Sequence, residues 1–210
     1  MKVAVINEVS ARDKNPDIVK ALSHRRLEVH NVGMIPGDNQ VELTYIHTGL
    51  MAAILLNLGV VDLVVGGCGT GQGFLNSAMQ YPNVFCGLLI DPLDGFLFSQ
   101  INNGNCISLA LNKEYGWAGD VNLKYIFDRF FEAPPGQGYP EARKDSQRNS
   151  RTILSAISKA SHRSLVETLQ GIDPSILKTI MKQKPFLDLI NQPGSNQPLH
   201  DFLMKHRSVK

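Results

Sequence analysis

The sequence is poor in features that would each point to a particular class of protein. It has three cysteines, Cys68, Cys86 and Cys106, and no Cys-x-x-Cys spacing, which argues against a disulfide framework and against a zinc site. No segment approaches the ~18 consecutive apolar residues of a membrane span, and the first apolar stretch is too short for a signal peptide. We therefore expect a cytoplasmic protein that does not contact a membrane.

An excess of charge of one sign is also lacking. The 21 Lys and Arg residues nearly balance the 19 Asp and Glu residues, for a formal net charge of +2. A nucleic-acid-binding protein is expected to carry a basic stripe with aromatic residues between the charges, and no such stripe is present. The hydrophobic content of 43% is ordinary for a globular protein. A chain of 210 residues is long enough for one main core and a small appendage.

Apolar runs of strand length alternate with stretches of helix length up to about Phe131. This pattern predicts an α/β fold, with a Rossmann-like doubly wound five-stranded parallel sheet. The predicted strands are Val3–Ile6, Glu28–Val32, Leu63–Gly66, Val84–Ile90 and Cys106–Leu111. The predicted helices are Pro16–His24, Leu43–Leu58, Phe74–Met79, Pro92–Asn102 and Val121–Phe131.

A change of composition follows at residues 133–139, where the sequence APPGQGY interrupts the apolar periodicity. After it, short helical patterns are separated by Gly and Pro, and no strand-like run appears. We predict a core domain over residues 1–145 and a helical C-terminal extension over residues 146–210.

In open parallel sheets, ligands bind beyond the carboxyl ends of the strands. This rule places Asn7, Glu8, residues 68–73, Asp91 and Asn112 around one crevice. Asp91, directly before a proline, is also the expected N-cap of the helix that begins there.

The most informative segment is residues 66–73, GGCGTGQG, in which five of eight residues are glycine. Glycine allows positive φ and close backbone approach, so this loop can turn several N–H groups toward an anion at a helix N-terminus. The dinucleotide motif GxGxxG fails in both frames, and the phosphate-loop motif GxxxxGK fails because the segment has no Lys. The segment therefore predicts an anion cradle, with a plain strand-to-helix turn as the alternative.

Cys68 lies within this glycine loop, where N–H dipoles would favour its thiolate. It is a candidate base or nucleophile. Cys86 and Cys106 lie inside apolar strands and fit the usual role of cysteine as a small core residue.

The segment VVDLVVGGCGTGQG, followed by a helix, a strand and then SQINNGNCISLAL, resembles the core of the ribose-5-phosphate isomerase B and galactose-6-phosphate isomerase family. The resemblance implies an aldose-ketose isomerase that needs no cofactor and no metal, with Cys68 as the base. It implies that Thr70 assists at the sugar hydroxyls or in ring opening. The residues it implies for substrate binding are Tyr45, His47, Gly71, Gln72, Gly73, Asn102 and Arg143. The strand-end crevice adds Asn7 and Gly69 as binding candidates. For His47, a position on the helix surface is the alternative. It further implies a homodimer or homotetramer in which the segment around Arg143 reaches a neighbouring subunit.

Three departures from the family pattern bear on the substrate. Glu8-Val9 stands where better-known members carry Asp-His, so Glu8 is the candidate catalytic carboxylate. Ile101 stands where they carry a ring-opening His, and of two basic residues that grip phosphate only Arg143 aligns. We expect a small sugar phosphate, and an open-chain one would not need the histidine. An epimerase that uses the same thiolate, and a non-catalytic sugar-phosphate-binding protein, are the alternatives.

Overall fold

The computed structural model describes residues 1–37 and 41–207. Their sheet has five strands, all parallel, in the order β2-β1-β3-β5-β4. The strands are β1 Lys2–Asn7, β2 Glu28–Asn31, β3 Leu63–Cys68, β4 Cys86–Leu89 and β5 Cys106–Ala110. The predicted Rossmann-like sheet is therefore confirmed.

The helices of the described residues follow the predicted alternation through α5. They are α1 Asn15–Ser23, α2 Tyr45–Leu58, α3 Gln72–Ala78, α4 Pro92–Leu97, α5 Gly119–Phe130, α6 Lys144–Ser161, α7 Leu165–Gly171, α8 Pro174–Ile180, α9 Lys184–Ile190 and α10 Gln197–Arg207. The predicted helix Pro92–Asn102 is divided, because α4 continues into a π turn at Phe98–Asn102.

Apolar side chains cover both faces of the sheet, as a parallel sheet requires. On one face α1 and α5 pack against Val3, Val5 and Val65. On the other face α2 packs against Ala4, Ile6 and neighbouring residues. Helix α2 is apolar on nearly all sides, which is typical of a helix buried all round.

The C-terminal helices α7 to α10 explain why α2 is apolar on the side away from the sheet. They form one apolar cluster with α2, and Gln183 and Ser195 donate hydrogen bonds to the carbonyls of Val41 and Leu58. The predicted helical extension is present. Helix α6 is the first helix of this extension, and Ser158 is its only buried residue.

Among the described residues, no helix combines the length and apolar character needed to cross a membrane.

Candidate active site

The loops after β1, β3 and β5 meet because these three strands are neighbours in the sheet. The Glu8 N–H donates to the Gly67 carbonyl at 3.3 Å, and the Asn112 N–H donates to the Gly69 carbonyl at 2.9 Å. The carboxyl end of the sheet therefore brings Glu8, Asn112 and the glycine loop together, as predicted from the strand pattern. Asp91 follows the edge strand β4 and caps α4 through the Asp94 N–H, at 2.9 Å.

Cys68 is the last residue of β3 and lies in the middle of this group of loops. Cys68 is 5% exposed, and its Sγ lies 4.0 Å from the Thr70 hydroxyl oxygen. That hydroxyl oxygen also accepts the Gln72 N–H at 3.3 Å. The predicted base and the predicted assisting hydroxyl thus face each other across a single turn.

Gly71 makes the turn between this strand and α3 possible. It has a φ of +75°, a conformation that side chains other than glycine rarely adopt. A Cβ at this position would also lie 2.4 Å from Leu88 Cδ1, and the buried Ser108 hydroxyl donates to the Gly71 carbonyl at 2.6 Å. Helix α3 begins directly after Gly71, so the amides of its first turn have no acceptor within the helix.

Both backbone polar groups of Gly69, its N–H and its carbonyl, are bound by the neighbouring loops. Its N–H donates to Ser10 Oγ at 3.1 Å. Its carbonyl accepts the N–H groups of Asn112 and Lys113, the latter at 2.8 Å. In this geometry the Gly69 amide already has an acceptor, so its predicted contact with substrate would have to replace Ser10.

Asn7 and Glu8 have different surroundings although they are adjacent in sequence. Asn7 is completely buried, its amide donates to the carbonyls of Ala11 and Met34 at 3.0 Å each, and its Oδ1 accepts from Asn15 at 2.6 Å. These bonds give Asn7 a structural role that leaves no amide donor for a substrate. Glu8 is also buried, and its Oε1 accepts hydrogen bonds from the Ser10 N–H and from the Ser10 hydroxyl.

Tyr45 and His47 lie at the start of α2. The Tyr45 ring packs on Gly73, where a Cβ would lie 2.8 Å from Tyr45 Cδ1, so Tyr45 forms one wall beside the glycine loop. His47 Nδ1 accepts the Thr44 N–H at 3.1 Å and completes the capping box of α2. Burial lowers the pKa of His47, which favours the neutral imidazole that this hydrogen bond requires.

Asn102 lies at the other end of the sheet. Asn102 precedes Cys106, the first residue of β5, whereas Cys68 pairs with Ala110, its last residue. At ~3.3 Å per residue, β5 separates them by about 13 Å along the strand. Asn102 lines a cleft of about 570 Å³ between the π turn and α6.

The segment that carries Arg143 follows the same π turn. The N–H groups of Gly136 and Gly138 donate to the carbonyls of Ser99 and Gln100, and Arg151 of α6 donates to the Ile101 carbonyl at 2.8 Å. A single chain therefore does not bring Asn102 to Cys68, and the segments on either side of Arg143 are bound to the π turn that carries Asn102.

Sequence reasoning missed Ser10 and Lys113, which contact the glycine loop directly. Asn112 was predicted to lie at the crevice. Its side-chain hydrogen bond to the Ser10 carbonyl, at 2.8 Å, was not predicted. Ser10 and Lys113 each lie three residues after the observed ends of β1 and β5, and that position was the only available signal. Within residues 1–37 and 41–207, no group of three or more His, Cys, Asp or Glu side chains is arranged to hold a metal ion.

Comparison with known proteins bears on this site. The family model of the ribose/galactose isomerases matches residues 3–146. The chain belongs to this family. It is thus a member of a family of sugar isomerases, in agreement with the resemblance carried by the glycine loop.

Two solved structures resemble the whole chain, including its C-terminal helices. A 4-deoxy-L-threo-5-hexosulose-uronate ketol-isomerase, crystallised with a tartrate, is 39% identical over 98% of each chain, with a TM-score of 0.94. A ribose-5-phosphate isomerase from Vibrio parahaemolyticus is 40% identical over 98% of each chain, with a TM-score of 0.92.

A third structure shares the fold of the core. The ribose-5-phosphate isomerase B of Clostridium thermocellum is 20% identical, covers 77% of this chain and all of its own length, and has a TM-score of 0.63. A search of curated proteins found no match.

Proposed function

We propose that this protein is an aldose-ketose isomerase of a small anionic sugar, with Cys68 as the base that transfers the proton. The observation that carries the proposal is the arrangement at the end of β3. A mostly buried thiol lies 4.0 Å from the Thr70 hydroxyl, in a loop whose next residues open a helix.

The reaction needs a base and a stabilised oxyanion. The Cys68 thiolate removes the proton from the carbon next to the substrate carbonyl, and the electron pair moves to the carbonyl oxygen to give an enediolate. Backbone N–H groups of a helix's first turn stabilise such an oxygen well when water is excluded. The proton then returns to the neighbouring carbon, and Thr70 is within reach to move the remaining proton between the two oxygens.

Two substrate classes fit this mechanism. A sugar phosphate is the class expected from the sequence, and the relative from Vibrio parahaemolyticus carries the name ribose-5-phosphate isomerase. A uronate, with a carboxylate in place of the phosphate, is favoured by the relative named as a hexosulose-uronate ketol-isomerase.

The departures from the family pattern favour the uronate. A sugar that is 4-deoxy and 5-keto lacks the hydroxyl groups that close ordinary furanose and pyranose rings, so it does not need the ring-opening histidine that Ile101 replaces. A carboxylate also carries less charge than a phosphate, and one guanidinium such as that of Arg143 binds it with two parallel hydrogen bonds.

We further propose that two subunits share each site. Asn102, implied in substrate binding, lies about one strand length from Cys68 in the same chain. The segments on either side of Arg143 are bound to the π turn that ends at Asn102. Next to them, Ile153, Leu154 and Ile157 of α6 are each about half exposed. A cluster of this kind is typical of an interaction surface. We propose that a second copy of the chain covers it, and that each copy supplies its Asn102 and Arg143 to the site of the other copy's Cys68.

The experiment is a panel of sugar phosphates and the hexosulose uronate in deuterated water, followed by NMR. Deuterium incorporation together with aldose-ketose conversion is the expected result. Inversion at one carbon would instead indicate the epimerase, and binding without exchange would indicate the non-catalytic alternative. Exchange with sugar phosphates and none with the uronate would overturn the preference for the carboxylate.

A further inference from the structure

Ser10 lies in the 3-10 segment Val9–Lys14 that follows β1, and it connects two parts of the site. Its Oγ accepts the Gly69 N–H at 3.1 Å. Its hydroxyl also contacts Glu8 Oε1, which accepts the Ser10 backbone N–H at 3.2 Å as well.

The direction of these bonds is decided by the number of available protons. The Gly69 N–H can only donate, so Ser10 Oγ is the acceptor in that bond. The single proton of the hydroxyl then remains for Glu8, whose Oε1 accepts it. The buried carboxylate is therefore joined to the loop of Cys68 through one hydroxyl group.

The loop after β5 forms hydrogen bonds to both Gly69 and Ser10, so the three segments hold one another in place. The Gly69 carbonyl is held by two N–H groups of the loop after β5. The side chain of one of these residues, Asn112, donates to the Ser10 carbonyl at 2.8 Å. If the Ser10 hydroxyl is removed, the Gly69 N–H loses its acceptor, and Gly69 is held only through its carbonyl.

We propose that Ser10 is a positioning residue, which holds Gly69 and thereby keeps the Cys68 thiol enclosed and aligned. It acts through Gly69 and Glu8 and does not touch the substrate. The effect on turnover rests on the function proposed above, whereas the effect on the thiol does not.

The test compares Ser10→Ala, Ser10→Thr and the control Ser23→Ala. Ser23 is an exposed residue of α1 whose hydroxyl donates to the Lys20 carbonyl, remote from the site in sequence and in contacts. Labelling by iodoacetamide is followed at Cys68 and at Cys106 in the same sample by peptide mass spectrometry. Turnover is measured with D-ribose 5-phosphate and with the hexosulose uronate.

In Ser10→Ala we expect faster labelling of Cys68, because the loop that encloses it is released, and unchanged labelling of the fully buried Cys106. We also expect kcat to fall roughly 10- to 100-fold with little change in KM, since misalignment of a reacting group costs about this much. Ser10→Thr keeps the hydroxyl and should restore both properties. Ser23→Ala should behave as the wild type.

Three results would overturn the inference. The first is labelling of Cys68 in Ser10→Ala at the wild-type rate. The second is an equal increase in the labelling rate of Cys106, which would mean that the hydroxyl contributes only to overall stability. The third is a Ser10→Thr variant as impaired as Ser10→Ala. Should a Cys68→Ser enzyme retain turnover, the proposed function fails, and the labelling comparison still decides the role of Ser10.

Discussion

At the carboxyl end of the sheet, three loops of one chain hold Cys68 through hydrogen bonds to Gly67 and Gly69, and the cysteine is 5% exposed. At the amino end, a cleft of about 570 Å³ stays open beside Asn102. There Ile153, Leu154 and Ile157 of α6 are 51%, 50% and 54% exposed. One chain thus encloses the thiol proposed as the base but leaves the surface beside Asn102 uncovered.

The two ends of the sheet correspond to two tasks of the proposed reaction, which are proton transfer and recognition of the substrate. Proton transfer depends on a rigid arrangement within about 1 Å, which short loops packed on adjacent strands supply. Recognition of the anionic group of the proposed substrate depends on a cation, and the segments on either side of the candidate Arg143 are bound to the π turn at the uncovered end. The comparison therefore predicts chemistry within one subunit and anion binding across two.

The largest effect is expected from Cys68→Ser, which tests the enclosed end. A hydroxyl is a much poorer base than a thiolate at neutral pH, so kcat should fall about 10²- to 10⁴-fold while the fold persists. Steady-state kinetics and thermal unfolding measure the two properties.

The matched control is Cys86→Ser at the opposite end of the sheet. Cys86 lies opposite Cys106 in the pairing of β4 with β5. The pKa of Cys106 is raised mainly by burial and further by its interaction with Cys86. This variant should change stability more than rate. Undiminished turnover in Cys68→Ser would refute the assignment of the base.

An intermediate effect is expected from a mixture of two inactive variants, if Cys68 and Arg143 of each site come from different subunits. Cys68→Ser and Arg143→Ala should each be nearly inactive alone. In a random mixture, half of the dimers contain one mutant of each kind, and one of their two sites has both residues intact. About a quarter of the wild-type activity should return if each site draws on both subunits.

Activity after unfolding and refolding the mixture measures this recovery, and mass spectrometry verifies the mixed dimers. The unmixed variants, treated in the same way, are the control. No recovery in verified mixed dimers, or full activity of a wild-type monomer at high dilution, would show that each subunit completes its own site.

The smallest effect is expected from Gly73→Ala, which alters the wall formed by Tyr45. A Cβ there would lie 2.8 Å from the ring, so the ring must shift, and KM should rise about tenfold, equivalent to roughly 1.4 kcal/mol. Gly171→Ala is the control, because a Cβ at Gly171 meets no atom within 4 Å. Equal KM values for the two variants would show that Tyr45 does not line the substrate site.

Local patterns in the sequence were sufficient for the elements of the core. Strand β3 was expected from Leu63 to Gly66 and runs from Leu63 to Cys68, since buried parallel strands are continuous apolar runs. The prediction for the glycine loop was equally local, because glycines, a cysteine and a helix start within eight residues indicate an anion cradle with a thiol inside it.

The order of the strands was decided only by the tertiary structure. Strand β5 inserts between β3 and β4, and this insertion sets Asn112 and Lys113 beside Gly69. No periodicity encodes which strands are neighbours. For the same reason the sequence could not reveal that Ser10 accepts the Gly69 N–H across 59 residues.

The division of the candidate site between the two ends of the sheet also depends on tertiary structure. The resemblance named Asn102 and Arg143 together with Cys68, and the sequence implied only that the segment around Arg143 reaches a neighbour. The path of α4 and the π turn back to the amino end is what separates Asn102 from the thiol. Residue types and spacing determine local chemistry, whereas the distance between segments follows from how the helices return across the sheet.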